Sequence, residues 1–477
     1  MLLTNRLFAE HPDVLEKHQQ RFDHVQIDEY QDTNGSQFDL IESLVRPHRN
    51  LCVVGDDDQS IYGWRGADIA HILGFPTVFP GTKVVRLQEN YRCTEQIIDL
   101  ANSLVKHNRN RYQKELIASR NLPGSVRYRE YETEELEAET VVREIDFNVR
   151  HNRAIADDFA ILFRTNEQPR AFEVQLRTFK VPYVLLGQRS FFDNKEVRDL
   201  LAYLRVISQP LDEQSLLRII NTPARSIGDT AVEKILGRAV ANKLRFFEAV
   251  PELRAAKELT AKTAASVESF ETLLADFRRR FEEAPKQMAE TFHTLLETID
   301  YDQEIQRQYK EPDQQLARQG TIEQLFDTIK QYIANTDEPS LSDFLDNITL
   351  ADRDIESDKD EQLKQRGVRL MTIHSAKGLE FNRVYLVGLE EGLLPHRRSV
   401  DAEDATPQGI DEERRLCYVG VTRAKDSLTL TRAQFRKKWG KLRESLPSRF
   451  LNEMFDESIT AAMEPPDDLE ADADKES

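Results

Sequence analysis

The chain has little cysteine, no long apolar run and no secretory start. Its three cysteines, Cys52, Cys93 and Cys417, lie far apart and form no C-x-x-C pair. That argues against a disulfide framework or a thiolate metal site, and suits a reducing compartment such as the cytoplasm. No apolar stretch approaches the ~20 residues that cross a bilayer, so no membrane partner is expected. Met1-Leu2-Leu3-Thr4-Asn5-Arg6 is not followed by an apolar core and a small-residue cleavage site, so no secretory signal is expected here. No internal repeat is evident.

What is present is a long, charged and unevenly patterned chain. With 477 residues, 39% apolar and 31% charged, it suits a soluble globular protein; the length implies roughly two to four domains. The net charge of −19 argues against a polyanion partner only as a whole-chain sum. Residues 456–477 hold nine acidic residues and one lysine, whereas residues 364–449 hold eighteen Lys/Arg against eleven Asp/Glu. There Arg432, Arg436, Lys437, Lys438, Lys441 and Arg443 surround Trp439. Local potential steers a phosphate backbone, so this segment is a candidate basic patch; a solvated face is the plainer reading.

The first 90 residues alternate short helices with apolar strands. Helices are expected from Pro12 to Gln20 and from Ser36 to Val45. Strands are expected at His24–Ile27, Leu51–Val54 and Lys83–Leu87. Such alternation predicts a parallel sheet covered on both faces, with ligands at the carboxyl ends of its strands. Asp28, Gln59 and Arg92 fall at or just past such ends. Thr94 caps a helix to about His107, and a second α/β pattern follows, with strands at Phe159–Phe163 and Tyr183–Leu186. From Asn194 to about Leu350 strand patterns vanish and apolar residues recur at helical spacing, as in Val197, Leu200, Leu201 and Leu204. Asp352–Gln365 reads as a charged linker. Strands resume at Val368–Ile373, Val384–Val387 and Leu428–Leu430. A helical domain inserted into an α/β domain is the simplest account, followed by an acidic, disordered tail from about Asp456.

Several strings carry chemistry. In Ile27-Asp28-Glu29-Tyr30-Gln31-Asp32-Thr33-Asn34, two carboxylates follow a buried strand. The first can hold Mg²⁺, and the second can orient or deprotonate a water. In Gly55-Asp56-Asp57-Asp58-Gln59-Ser60-Ile61-Tyr62-Gly63-Trp64-Arg65-Gly66, Gln59 can bond a γ-phosphate or the attacking water. Tyr62 and Trp64 can stack on unpaired bases, worth ~1–3 kcal/mol each, and Arg65 can hold backbone phosphate. The competing reading of Trp64, a core filler, sits poorly with Gly63 and Gly66 on either side. Arg92 in Gln88-Glu89-Asn90-Tyr91-Arg92-Cys93-Thr94 and Arg423 in Val421-Thr422-Arg423-Ala424-Lys425 could both reach one γ-phosphate; singly, each also fits a surface ion pair. His374-Ser375-Ala376-Lys377-Gly378-Leu379-Glu380-Phe381 follows an expected strand. Gly378 permits a close backbone turn, Lys377 and Glu380 offer nucleotide-side contacts, and His374 a DNA contact.

Together these strings, in this order, resemble the UvrD/PcrA/Rep group of superfamily 1A DNA helicases, over nearly all of residues 1 to 455. The resemblance implies an α/β fold of two RecA-like P-loop NTPase lobes, the first incomplete, with a helical domain inserted in the second. It places residues 1–92 in the first lobe, 93–190 and 365–455 in the second, 191–364 in the insert and 456–477 in the tail. It implies ATP and Mg²⁺, and single-stranded and duplex DNA as partners. Asp28 would be the metal ligand, Glu29 the catalytic base, Gln59 the γ-phosphate sensor, and Arg92 and Arg423 arginine fingers. Tyr91 would stack on adenine, with Lys377, Gly378 and Glu380 beside the nucleotide. Tyr62, Trp64, Arg65, His374 and Asn166, in Leu162-Phe163-Arg164-Thr165-Asn166, would meet single-stranded DNA. Thr222-Pro223-Ala224-Arg225-Ser226-Ile227-Gly228-Asp229-Thr230 resembles the family's duplex-contacting segment; a capping turn reads as well.

No G-x-x-x-x-G-K-[ST] phosphate loop occurs in the 477 residues. The lysine on the β/γ-phosphates, the hydroxyl that shares Mg²⁺ and the amide cradle are therefore missing, and half of a parallel sheet would leave an open edge and apolar face. The expectation is a 3′→5′ ATP-dependent DNA helicase whose chain does not hydrolyse ATP alone. Rival expectations are a non-catalytic DNA-binding remnant, or a split enzyme completed by a chain supplying the phosphate loop. A helicase–nuclease subunit is disfavoured, since the acidic tail leaves no room for a nuclease domain.

Overall fold

Two short parallel strands open the fold, β1 (Val25–Ile27) and β2 (Leu51–Val53), paired Val25 to Leu51. The computed structural model describes residues 1–120, 122–187, 190–349, 365–400, 407–438 and 441–455. Most of the expected linker, Trp439 and the acidic tail lie outside them. Around the first pair stand helices Pro12–Gln19 and Gly35–Val45; the latter starts with a capping box between Asn34 and Gln37, each accepting from the other's backbone amide.

The expected third strand at Lys83–Leu87 is absent: the segment is irregular, and Leu87 is 81% exposed. Its apolar residues matched a strand pattern, but a strand also needs a neighbour for its backbone groups, and this segment has none in a sheet. The next strand is instead β3 (Glu89–Thr94), which pairs in parallel with β4 (Ile117–Arg120) as a separate two-stranded sheet. Arg92 therefore sits within a strand, not past the end of one in the first sheet.

The main sheet has seven strands. They are β5 (Ser125–Thr133), β6 (Phe159–Phe163), β7 (Tyr183–Leu186), β8 (Val368–Thr372), β9 (Phe381–Leu386), β10 (Ala424–Lys438) and β11 (Lys441–Glu444). The path runs β11-β10-β9-β6-β8-β7, with β5 also on β10; every pairing is parallel except β10 with β11. β6 is buried at every residue, as a strand covered on both faces should be. Alternation divides it. Phe159, Ile161 and Phe163 pack with Val141, Ile145 and Phe172 on one face. Ala160 and Leu162 pack with Ile97, Leu104 and Leu416 on the other. These contacts seat helices Glu134–Arg150 and Pro169–Thr178 on one side, and Glu95–Val105 and Pro407–Val421 on the other.

Between β7 and β8, neighbours in the sheet, the described chain is helical from Lys195 to Thr349 apart from short connections. Its core runs from Phe191 to Ile348 and includes Leu200, Leu204, Phe270, Phe277 and Phe292.

Part of the basic segment near the C-terminus is paired rather than open: Arg432, Arg436 and Lys437 meet carboxylates, while Arg443 is exposed. Arg436 is buried among Glu390 at 2.6 Å, Glu137 at 2.8 Å and Glu134 at 3.2 Å. Arg432 pairs with Glu130 at 2.6 Å, and Lys437 with Asp327 at 2.7 Å. Carboxylates distant in sequence consume these charges, which a count over one segment cannot reveal.

Candidate functional site

Most candidate side chains are delivered by turns that follow strands; Tyr91 and Arg92 lie within β3, and Arg423 lies between helix Pro407–Val421 and β10. Asp28 and Glu29 follow β1, and both are exposed. Glu29 adopts the left-handed conformation, φ 51°, and its amide donates to the Asp28 carboxylate at 2.9 Å. Gln31 is fully buried and donates to Glu29. Its side-chain oxygen accepts from the Asp56 amide at 3.0 Å, joining the turn after β1 to the turn after β2. A side chain at Gly55 would overlap Gln31, so glycine is required there for space.

From this turn a row of contacts crosses to the main sheet. The Lys377 ammonium pairs with Asp32, lies 3.3 Å from Glu29 and donates to the Gln59 carbonyl at 2.7 Å. Burial raises the Asp32 pKa, and the bond from Lys377 opposes that rise. The Gln59 side chain donates to Asp56 at 2.8 Å and accepts from Arg423 at 3.5 Å. Arg423 is almost completely buried and also donates to the carbonyls of Val419 and Leu379, at 3.0 and 3.1 Å. Burial first, and the positive charge of Arg92 second, lower its pKa to about 10. Glu29, Lys377, Gln59 and Arg423 thus stand in one line, and Arg92 is near enough to act on Arg423. Asp28 abuts this line through Glu29.

Arg92 opens onto a cleft of about 700 Å³ lined by Tyr91, Arg92, Arg120, Glu380 and Lys425. Glu380 accepts from Arg92 at 2.7 Å and pairs with Lys425 at 2.7 Å. Lys425 and then Arg92 hold its carboxyl below the usual range. Tyr91 is 71% exposed at the mouth. Gly378 has φ +83° with open space around its α-carbon, so conformation rather than room demands glycine. Among the cleft residues that the sequence reading did not name as site residues are Arg120 and Lys425. Arg120 lies in a strand no motif announced, and donates to the Arg92 carbonyl at 2.6 Å and to Asp426 at 2.8 Å. Lys425 lay inside a quoted motif, two residues after Arg423.

The aromatic candidates form a second group against the first. Tyr62, Trp64 and His374 have ring centroids 6.4–6.5 Å apart, and the Tyr62 hydroxyl donates to the His374 carbonyl at 3.3 Å. Trp64 is 65% exposed, with the Arg65 guanidinium 4.6 Å above its ring. Trp64 therefore does not fill a core. The Lys377 ammonium lies 5.4 Å from the Tyr62 ring, so one lysine touches both groups. Burial and then the Arg164 charge lower the His374 pKa to about 4, leaving its ring neutral at pH 7. Asn166 is exposed on the turn after β6. Its neighbour Arg164 pairs with Glu413 at 2.7 Å.

Two other strings take structural roles the sequence did not show. Asp56, Asp57 and Asp58 cluster closely enough to suggest a metal, but Lys114 pairs with all three and Arg111 with Asp58 at 2.7 Å. In the 222–230 segment, Arg225 turns inward, over the Phe270 ring at 4.4 Å and onto the Ile219 carbonyl at 2.9 Å. Gly228 is the N-cap of helix Asp229–Asn242, the capping position also read from sequence.

Comparison with known proteins gives the family of the chain. Residues 1–80 match the UvrD/REP helicase N-terminal domain, and residues 85–434 match the UvrD-like helicase C-terminal domain. Proteins named ATP-dependent DNA helicase PcrA from Staphylococcus epidermidis strain ATCC 35984 and Staphylococcus aureus strain Mu50 are each 39% identical over 459 residues, 95% of this chain. The same protein of Staphylococcus aureus strain MRSA252 is 38% identical over the same share. The chain spans 61% of the length of these relatives. On the two domain matches and the α/β architecture, the chain belongs to the UvrD-like helicase family.

Proposed function

We propose that this chain supplies most of the motor of an ATP-dependent DNA helicase that moves 3′→5′ on single-stranded DNA and unwinds duplex. The relatives bear the name ATP-dependent DNA helicase, and the polarity rests on family resemblance. One observation carries the reading: Lys377 touches Glu29 and Gln59 on the side of Arg423, and the Tyr62 ring on the side of Trp64. Nucleotide-facing and base-facing groups share a residue, as a motor that converts cleft closure into strand movement requires.

The cleft chemistry suits a nucleotide triphosphate. Arg92, Arg120 and Lys425 gather positive charge along the cleft, Arg423 lies close enough to Arg92 to feel its charge, and Tyr91 offers an exposed ring for adenine. Glu380, already an acceptor, suits a ribose hydroxyl, with Gly378 turning the backbone beside it. Asp28 is the residue that would hold Mg²⁺; when bound, the ion neutralises charge on the β- and γ-phosphate oxygens. Glu29 takes the proton of the attacking water, Gln59 orients that water, and Arg92 and Arg423 stabilise charge on the transferring phosphoryl group. Trp64 and Tyr62 stack on bases, while Arg65, Asn166 and His374 contact the strand.

The proposed division has residues 1–92 in one lobe, 93–190 and 365–455 in the other, and 191–364 inserted. The side-by-side pairing of β7 with β8 supports the insertion. Because these residues hold no G-x-x-x-x-G-K-[ST], turnover needs a phosphate cradle from outside them, in the same polypeptide or a second chain.

The test is DNA-stimulated ATP hydrolysis by the chain alone and mixed with a polypeptide carrying a phosphate loop of this family. Oligo-dT binding is expected in both. Turnover is expected only in the mixture, and Glu29→Gln abolishes it. Turnover by the chain alone that survives Glu29→Gln overturns the assignment; binding with no turnover in any mixture favours a non-catalytic DNA-binding protein.

A further inference from the structure

The turn that presents Trp64 is held by a residue distant in the sequence. The Gly63 amide donates to the Glu412 carboxylate at 3.0 Å, across 349 positions of sequence. A β-carbon built at Gly63 would lie 2.7 Å from one Glu412 oxygen and 2.9 Å from the other. Gly63 has none of the positive φ that Gly66 shows, so its backbone conformation does not itself demand glycine. A side chain there would have to displace the carboxylate. Glu412 lies in helix Pro407–Val421, and Arg423 follows two residues after that helix ends. The adjacent Glu413 accepts from Arg164 at 2.7 and 3.0 Å and from the His396 amide at 3.0 Å. One helix therefore grips the aromatic turn with Glu412 and the strand end before Asn166 with Glu413, and leads into Arg423.

We infer that Glu412 is a positioning residue for DNA binding. It fixes the Gly63-Trp64-Arg65 turn through the Gly63 amide, so that Trp64 is set for stacking and moves with the helix that leads to Arg423. The inference rests on the reading of Trp64 as a base-stacking residue. It adds a role for a carboxylate that touches neither nucleotide nor base. An acceptor oxygen at this place is required, and a charge is not, because the partner is a neutral amide.

The test is oligo-dT binding by the full chain in a Trp439→Phe background, where Trp64 is the sole tryptophan and its quenching reports stacking directly. Glu412→Ala is expected to weaken binding about tenfold, the scale of one hydrogen bond, and to raise acrylamide access to Trp64. Glu412→Gln keeps an acceptor and is expected to stay within about twofold of the parent on that same scale. Gly63→Ala is expected to weaken binding as Glu412→Ala does, because its methyl group displaces the carboxylate. The double variant is expected to bind no worse than either single one, since both break the same contact. Additive losses, or Glu412→Ala binding with parental affinity and quenching, overturn the inference. Failure of the parent to bind oligo-dT with quenching instead sinks the reading of Trp64. Thermal unfolding of each variant separates loss of fold from loss of positioning.

Discussion

The Lys377 ammonium sits on the Asp32 carboxylate, 345 positions away in sequence, and closes the gap between the turn after β1 and the turn after β8. Asp32 is mostly buried. Removing the ammonium leaves a poorly solvated carboxylate. Lys377→Met is therefore expected to destabilise the fold by about 3 kcal/mol. Adding Asp32→Asn should recover part of that loss, because the neutral amide has no charge to strand. Urea unfolding of the two single variants and the double one checks both expectations; equal stability of Lys377→Met and parent would contradict them.

His374 makes stability depend on acidity. Its folded pKa of about 4 lies below the ordinary 6.5 because burial and Arg164 disfavour the imidazolium. Between those two values the unfolded chain binds a proton that the folded chain refuses, so stability falls as pH drops from about 6.5 towards 4. The upper limit is about 3 kcal/mol, at 1.36 kcal/mol per pKa unit. His374→Gln removes this component while leaving the carbonyl that Tyr62 uses. The expected result is a shallower fall of melting temperature with pH than in the parent. Parallel curves would show that the ring titrates as in the unfolded chain.

Arg436 is a structural residue despite its setting in a basic string. Three glutamates converge on it. Arg436→Met would leave them crowded and unpaired, at an expected cost of about 3–5 kcal/mol. Chemical denaturation is the measurement, and the loss should be insensitive to added DNA. A variant as stable as the parent but impaired in DNA binding would restore the reading of this segment as a nucleic-acid surface.

Trp64→Ala removes an exposed ring that supports no core. Its melting temperature is expected to stay within about 2 °C of the parent, as for surface substitutions of small effect. Its affinity for oligo-dT is expected to fall by about 1–3 kcal/mol, the worth of one stacked base. Filter binding or anisotropy at fixed salt tests this, because phosphate contacts alter the same readout as ionic strength changes.

The cleft and the aromatic turn were legible because their residues come in short strings whose order carries meaning. Asp28-Glu29, Gln59, Tyr62, Trp64 and Arg423 each sit in such a string, and β6 was legible from an unbroken apolar run. β3, β4 and the 15-residue length of β10 were not. Polar residues such as Arg432 and Arg436 hide strand character when their neutralising partners lie elsewhere in the chain. Lys83–Leu87 failed for the converse reason: it has the apolar content of a strand and no neighbouring strand to bond.

By itself the sequence determined the family, the alternation of α/β and helical stretches, and the side chains proposed to face nucleotide and DNA. These depend on residue type and local spacing. Only the tertiary structure decided that Lys377 meets Asp32, that Glu412 holds Gly63, that Lys114 fills the aspartate cluster and that Arg436 is buried rather than displayed. Each of these is a charge or hydrogen bond satisfied at long range. Which distant partner a polar group meets is set by how strands order themselves in a sheet, and no local window of residues contains that information.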